Sequence, residues 1–295
     1  MFRVRRLLAP FVLCIALLFS EAQAFTIAWL SDTQNYHNAY KPIFDGMTQW
    51  IADNREALDI RFVFHTGDVV GSWSSEDQWR QARESMDILS NASIPFLAAC
   101  GNHDIGYRMN YANFLKYVLS LRPASMSQEY GDTGSRYELF SANGRDYIFM
   151  GIAFSNKGPS EDEVNWINGV LRQYSSRDAI IITHSYLKKS ASYTTQGKAI
   201  FEKIVKANPN VFLVLCGHCR DISYKNVQLD DDGDGDPDRT VYAILSNFQG
   251  SKAGGGGYMR ILDFRDSDIY IYTYSPYYDS CEYPKGKTEA TVPLP

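Results

Sequence analysis

The strongest constraint on the fold is a pattern met five times along the chain: a short apolar run that stops at Asp, Asn or His, usually beside a glycine. Runs 25–30, 60–64, 96–99, 179–183 and 211–216 are rich in β-branched and aromatic residues. Continuous apolar runs of that length, bounded by polar turns, are the mark of strands buried on both faces. Run 147–153 is a sixth of the kind. Between them the apolar period lengthens to three or four. Trp79, Ala82, Met86 and Leu89 follow Ser75 and Gln78, while Val164, Ile167 and Leu171 follow Ser160 and Glu163. Each Ser and its partner stand three apart, as a capping box requires, and segment 42–52 is a further helix. Strands alternating with helices predict an α/β fold in one catalytic-size domain. From about Val211 strand follows strand, at 240–245, 258–264 and 269–274, separated by Gly- or Asp-rich turns.

In an open α/β sheet the carboxyl ends of the strands form the ligand crevice. Here those ends carry Asp32, Gly67-Asp68, Gly101-Asn102-His103-Asp104, His184 and Gly217-His218. This is a metal-ligand inventory: a carboxylate such as Asp68 can bridge two cations, Asn102 offers a neutral oxygen, and His184 and His218 offer nitrogens. Gly67, Gly101 and Gly217 are expected to make the sharp turns that aim the next side chain into the crevice. A lone His at a strand end is ordinarily a hydrogen-bonded structural residue; the joint pattern is what carries the reading.

In order and spacing these motifs resemble those of the calcineurin-like metallophosphoesterase superfamily, which read D-x-H, GD, GNH(D/E), a lone His, and GHxH. The resemblance covers nearly the whole chain after residue 24. It is nearest to the branch whose first motif is D-T-Q, here Asp32-Thr33-Gln34, with His65-Thr66-Gly67-Asp68-Val69-Val70, Gln249-Gly250 and Thr273-Tyr274-Ser275-Pro276 also similar. It implies a four-layer α/β/β/α sandwich of two mixed sheets and a pair of divalent cations, Mn, Mg, Fe or Zn. Asp32 and Gln34 would bind the first cation, Asp68 would bridge, and Asn102, His184 and His218 would bind the second. His103 would face the substrate and stabilise or protonate the departing oxygen, with Asp104 holding its imidazole. The implied reaction is hydrolysis of a small phosphorylated substrate, a phosphomonoester or phosphodiester, by a metal-activated hydroxide.

Two positions depart from the superfamily pattern, and both fall on the first cation. Gln34 replaces the His of D-x-H, and Arg220 stands where GHxH has its second His. A guanidinium cannot ligate a cation. The first site therefore keeps only oxygen donors, which suit Mg²⁺, Mn²⁺ or Ca²⁺ better than Zn²⁺ and predict a weaker, exchangeable ion. Arg220 is either a phosphate contact or one half of a structural salt bridge. The same departures keep open a second reading, a catalytically weakened phosphate-binding protein; intact His103 and Asp104 weigh against it.

His65, three residues before Asp68, is expected beneath that carboxylate or simply buried, and His37 at the surface near the crevice mouth. Cys216-Gly217-His218-Cys219 spells a redox C-x-x-C, but it ends a strand instead of opening a helix, so disulfide exchange is set aside. Cys100, Cys216, Cys219 and Cys281 allow three pairings; Cys100–Cys216 with Cys219–Cys281 is the expectation, since Cys100 and Cys216 each close a strand. The tract 230–238 has six Asp in nine residues. Asp230, Asp232 and Asp234 alternate as in an EF-hand loop, but Val241 stands where the bidentate Glu belongs, so both a structural Ca²⁺ site and a solvated acidic hairpin loop stay open.

Residues 1–24 read as an export signal: Arg3, Arg5 and Arg6, an apolar run from Leu7 to Phe19, then Ala22-Gln23-Ala24 as a small-x-small cleavage site. The run is short for a bilayer span and contains Pro10. A secreted, periplasmic or cell-surface protein without a stable membrane span is expected, with residues 25–276 as the catalytic domain and 277–295 as a tail. Removing three Arg and one Glu with the signal moves the formal charge from −5 to −7. That balance excludes a protein that coats nucleic acid, but not a phosphorylated substrate, because bound cations set the local field.

Overall fold

The computed structural model describes residues 24–106, 109–121, 127–284 and 289–295. The expected signal segment, up to residue 23, lies outside them. In chain order the strands are β1 (Phe25–Leu30), β2 (Ile60–His65), β3 (Phe96–Ala98), β4 (Ser127–Tyr130), β5 (Ser135–Ala142), β6 (Arg145–Ile152) and β7 (Asp178–Thr183). They continue with β8 (Val211–Cys216), β9 (Asp221–Leu229), β10 (Arg239–Asn247), β11 (Met259–Phe264), β12 (Asp268–Tyr274) and β13 (Ala290–Pro293). The first sheet has the order β13-β12-β11-β1-β2-β3 and the second β4-β5-β6-β7-β8-β10-β9. Both are mixed. β1, β2 and β3 run parallel in the first, β6, β7, β8 and β10 in the second, and the other neighbours are antiparallel.

Alternation along each strand explains the layering, because successive side chains leave opposite faces of a sheet. In β1, Phe25, Ile27 and Trp29 enter the core between the sheets. Ala28 and Leu30 enter the core under α1 (Lys41–Asp53) and α2 (Glu76–Asn91). On the far side, Ile181 and Val214 face α3 (Glu161–Gln173) and α4 (Thr195–Ile200). The result is the expected four-layer sandwich. Aromatic rings hold the middle layer: Phe149 of the second sheet meets Phe62 and Phe64 of the first edge-on, at centroid distances of 5.0 and 4.8 Å.

The helices start where the sequence places them, but by half a capping box. Ser75 and Ser160 accept from the backbone N–H of Gln78 and Glu163 at 3.4 and 3.2 Å. The side chains of those partners go elsewhere. Gln78 Oε1 accepts from Gly71 N and Ser72 N, and Glu163 Oε1 from Ser135 Oγ.

One expectation needs correction. No disulfide forms: all four described cysteines are free. Cys100 belongs to the core under α1 and α2, and Cys216 to the core under α3 and α4, with the whole inter-sheet layer between. Thiols on opposite outer faces cannot be bridged. Cys219 packs half-buried on the second of those cores and Cys281 is exposed. Within the tail, β13 pairs with β12 from Ile271↔Ala290 to Asp268↔Pro293. Among the described residues no helix is long and apolar enough to cross a membrane.

Phe149→Ala removes a fully buried ring at the centre of the sandwich and is expected to cost about 3–5 kcal/mol of stability, read as a lower urea midpoint with an unchanged slope.

Candidate metal centre

Three polar strand tips share an uncommon backbone. Asp32, Asp68 and His218 are all left-handed, with φ of 52, 54 and 69°. For residues other than glycine such conformations cost of order 1–3 kcal/mol and persist only where their surroundings fix them. The surroundings here are glycines. A Cβ on Gly101 would lie 2.2 Å from Asp68 Oδ1, and one on Gly217 would lie 2.3 Å from Asp32 Oδ2. Of the three glycines expected to make turns, Gly67 alone needs its freedom, at φ 95°. Gly101 and Gly217 serve by letting a carboxylate lie against bare backbone.

The parallel strands bring these tips to one edge of the sandwich. His184 follows β7, its ring fully buried, and its Nδ1 donates to the Thr66 carbonyl at 2.8 Å. That bond leaves Nε2 to face the crevice, the arrangement expected of a ligating imidazole. Three atoms crowd it: Asn102 Oδ1 at 3.1 Å, His218 Nδ1 at 3.2 Å and Asp68 Oδ2 at 3.3 Å. One N–H cannot serve three acceptors, whereas a cation among them can. Asp68, His184 and His218 each offer an atom within 4.8 Å of the others. Asp32 adjoins this group, accepting from His218 N at 3.2 and 3.3 Å. Gln34 is buried beside it, and its Oε1 has no hydrogen-bond partner among the described residues. An orphaned buried carbonyl is costly unless something else, such as a hard cation, satisfies it. The donor set thus fits divalent cations, with nitrogens gathered at His184 and His218 and oxygens at Asp32 and Gln34.

Electrostatics agree. Burial, and then the charge of Asp68, push the Asp32 carboxyl up to about 7 against the pull of His184. Burial, followed again by Asp68, lifts Asp104 to about 7. Burial alone would lower His184, but the charge and hydrogen bond of Asp68, then Asp32, outweigh it and raise the imidazole to about 9. Asp68 stays below the usual carboxylate range because His184 outweighs its burial. His218 falls to about 4, through burial and then the neighbouring His184. Buried carboxylates this close recruit protons as counter-charge, and a divalent cation supplies that charge in their stead.

The other expected residues are placed as follows. The His103 ring is exposed, and its Nδ1 donates to the Gly71 carbonyl at 2.9 Å. In the neutral ring the lone pair therefore sits on Nε2. Its backbone N–H donates to Asp68 Oδ1 at 2.9 Å. Asp104 does not hold that imidazole: its fully buried carboxylate accepts from Gly101 N at 2.7 Å and Val70 N at 3.1 Å, tying the GNHD turn to the GD turn. The imidazole depends instead on Gly71, whose loop is pinned by Gln78, a residue sequence reasoning used only as a cap. His65 lies on the strand behind Asp68 but bonds elsewhere. Its Nδ1 accepts from Gly67 N at 3.1 Å and its Nε2 donates to Thr33 Oγ1 at 3.0 Å, a neutral ring that burial holds down at about 3. His37 is half-buried on the Gln34 carbonyl, and Arg220 is exposed with no ion pair among the described residues. Asn247, unforeseen, donates to the His218 carbonyl at 3.1 Å.

A family profile described as Calcineurin-like phosphoesterase matches residues 25–219, from β1 through the last His motif. The chain belongs to the calcineurin-like phosphoesterase family. Over 259 residues it is 41% identical to the Uncharacterized protein YvnB of Bacillus subtilis (strain 168). That match covers 86% of this chain and 20% of YvnB, so the chain spans about a fifth of the length of the curated relative it matches. Among solved structures, a dimetal phosphatase from Danio rerio superposes with a TM-score of 0.60 at 12% identity, over 91% of this chain and 98% of that one. GAP50, the anchor in the inner membrane complex of Plasmodium, superposes with a TM-score of 0.59 at 14% identity, over 92% and 89%. At such identities the likeness is one of fold.

A second acidic cluster lies outside this candidate metal centre. The tract 230–238 is the loop of the β9–β10 hairpin, and Asp230, Asp232 and Asp238 bring carboxylate oxygens within 4.8 Å. Asp234, expected in that set, instead accepts from Asp236 N. The Asp230 carboxylate accepts from Gly233 N and Gly235 N, so the loop is closed by its own backbone.

The pH dependence of cation binding has a definite sign. A ligand must shed its proton to bind, and His184 holds one up to about 9 and Asp32 up to about 7. Mn²⁺ binding to the stripped protein is expected to release protons at neutral pH and to strengthen between about pH 6 and pH 8. Calorimetry in buffers of different ionisation enthalpy counts them; proton-neutral binding across that range would contradict this account.

Proposed function

We propose that this calcineurin-like phosphoesterase is an exported, metal-dependent hydrolase of phosphomono- or phosphodiesters. The observation that carries the reading is the convergence of Asp68, His184 and His218, with the backbone N–H of His103 anchored on the same Asp68 and its ring exposed. The proposed ligands are Asp32, Gln34 and Asp68 on the oxygen side, and Asp68, Asn102, His184 and His218 on the nitrogen side. The Asp-Thr-Gln opening of the first motif is what supports assigning the chain to a branch that shares it. Divalent cations held by these residues would supply Lewis-acid polarisation of the ester and would lower the pKa of a water toward neutrality.

The chain's own groups do the rest. Asp68 and Asn102 present oxygens from adjoining turns, and His184 is held to one tautomer by Thr66. His103, with Nδ1 committed to Gly71, offers Nε2 to the leaving oxygen, donating when protonated. Asp104 acts at one remove, holding the backbone from which His103 projects. Arg220, exposed and unpaired among the described residues, is free to contact a non-reacting phosphate oxygen. The signal-like residues 1–24 support export.

The test is hydrolysis of p-nitrophenyl phosphate and its bis ester by the stripped protein with added Mn²⁺. His103→Ala is expected to lower kcat about 10²–10⁴-fold while Mn²⁺ still binds. Mn²⁺ and phosphate binding without turnover in either protein would favour a phosphate-binding protein on the same scaffold.

A further inference from the structure

Behind Asp32 a line of buried side chains runs back between the sheets. Trp29 donates its indole N–H to Thr66 Oγ1 at 3.1 Å, Thr66 Oγ1 donates to Ser31 Oγ at 2.8 Å, and Ser31 Oγ donates to Asp32 Oδ2 at 2.5 Å. All four residues are buried, Trp29 and Asp32 at 1%, Thr66 at 0% and Ser31 at 7% exposure. With Asp32 ionised the direction of the chain is fixed from its carboxylate end. A carboxylate only accepts, so Ser31 gives its one proton to Asp32 and must accept from Thr66, which in turn accepts from the indole N–H. The ionised Asp32 Oδ2 therefore meets a donor.

Two further observations point the same way. A Cβ on Gly217 would lie 2.3 Å from Asp32 Oδ2, 2.5 Å from Ser31 Oγ and 3.2 Å from Thr66 Oγ1, so the backbone before His218 lies flat against all three links. Thr66 also donates its backbone N–H to Leu30 at 3.1 Å and accepts from His184 Nδ1 at 2.8 Å. One threonine thus touches the strand that carries Asp32, the chain that pins it, and the imidazole on the other side of the centre.

We propose that Trp29, Thr66 and Ser31 are positioning residues that fix the rotation of the Asp32 carboxylate for the cation on the oxygen side of the centre. This rests on the reading of Asp32 as a ligand. An aspartate carboxylate turns freely about its last bond, and one held from behind by Ser31 loses less freedom when a cation binds. Outer hydrogen-bond partners of metal ligands commonly change affinity 10–100-fold. The oxygen side has most to gain, because it lacks the imidazoles that hold the other.

The test is Mn²⁺ binding to the stripped protein by calorimetry, which needs no turnover. Thr66→Val keeps the shape and cuts the chain, and is expected to loosen the weaker Mn²⁺ site about tenfold or more. Thr66→Ser, which restores the hydroxyl, is expected to bind within about twofold of wild type, since the donor is what matters. Ser31→Ala is expected to repeat the loss, and carries the test should Thr66→Val fail to fold. Wild-type affinity at both sites in Ser31→Ala or Thr66→Val would overturn the proposal, as would an equal loss in Thr66→Ser, which would make the methyl's packing responsible. Wild-type protein that takes up no Mn²⁺ would overturn the metal reading itself, and this proposal with it.

Discussion

The contact on which the rest depends is the Asp68 carboxylate. One oxygen accepts from His103 N, across from β3, and the other lies 3.3 Å from His184 Nε2, across from β7. This side chain ties two tips of the first sheet to a tip of the second. Much nearby structure serves to bring it there: the left-handed turn at residue 68, the freedom of Gly67 and the missing side chain of Gly101. Remove that carboxylate and the His184 and His218 rings, 3.2 Å apart, lose the negative charge that faces His184.

Such a site opposes folding locally. It buries Asp32, Asp68 and Asp104 together and sets non-glycine residues in left-handed backbone, and neither comes free. The compensation lies in the layers beneath. Strands buried on both faces and an inter-sheet core of interlocked aromatics hold the strand ends where the turns need them. Their stability is spread over many contacts, so the tips are held by backbone that has no reason to relax. This is why the polar residues sit at strand ends and not within helices.

Much of this was legible in the sequence, for a physical reason. Parallel strands buried on both faces must be continuously apolar, so an Asp or His that follows one stands out, and the core strands and the residues gathered at Asp68, His184 and His218 could be read directly. β9 and β13 were missed because an antiparallel edge strand buries one face at most and looks like surface, and β5 because buried Ser135, Arg136 and Glu138 interrupt its apolar run. Asp104 and Gln78 were found by position but misassigned in what they touch. A hydrogen-bond partner is a matter of fractions of an ångström, and sequence spacing constrains only the neighbourhood. Gly101 and Gly217 show the same limit: glycine signals a need, but whether for a turn or for room appears only when the opposing carboxylate is in view. The cysteines misled because closing a strand says nothing about which face a side chain leaves from.

Fold alone does not choose between chemistry and binding, since a phosphatase and an anchor both superpose on these layers. The choice rests on the side chains, and there the proposed centre is lopsided. On one side stand two imidazoles, that of His184 held by the Thr66 carbonyl and that of His218 on a backbone held by Asn247. On the other, Gln34 brings an oxygen but no charge, and Arg220 at the remaining motif position brings a charge of the wrong sign. Asp32 is then the only anionic ligand that the oxygen side does not share. A site with one unshared anion depends on how firmly that anion is held, and Ser31, Thr66 and Gly217 crowd around this carboxylate and no other. The substitutions that weaken the first cation in the motif pattern are thereby the ones that make the buried chain behind Asp32 matter most.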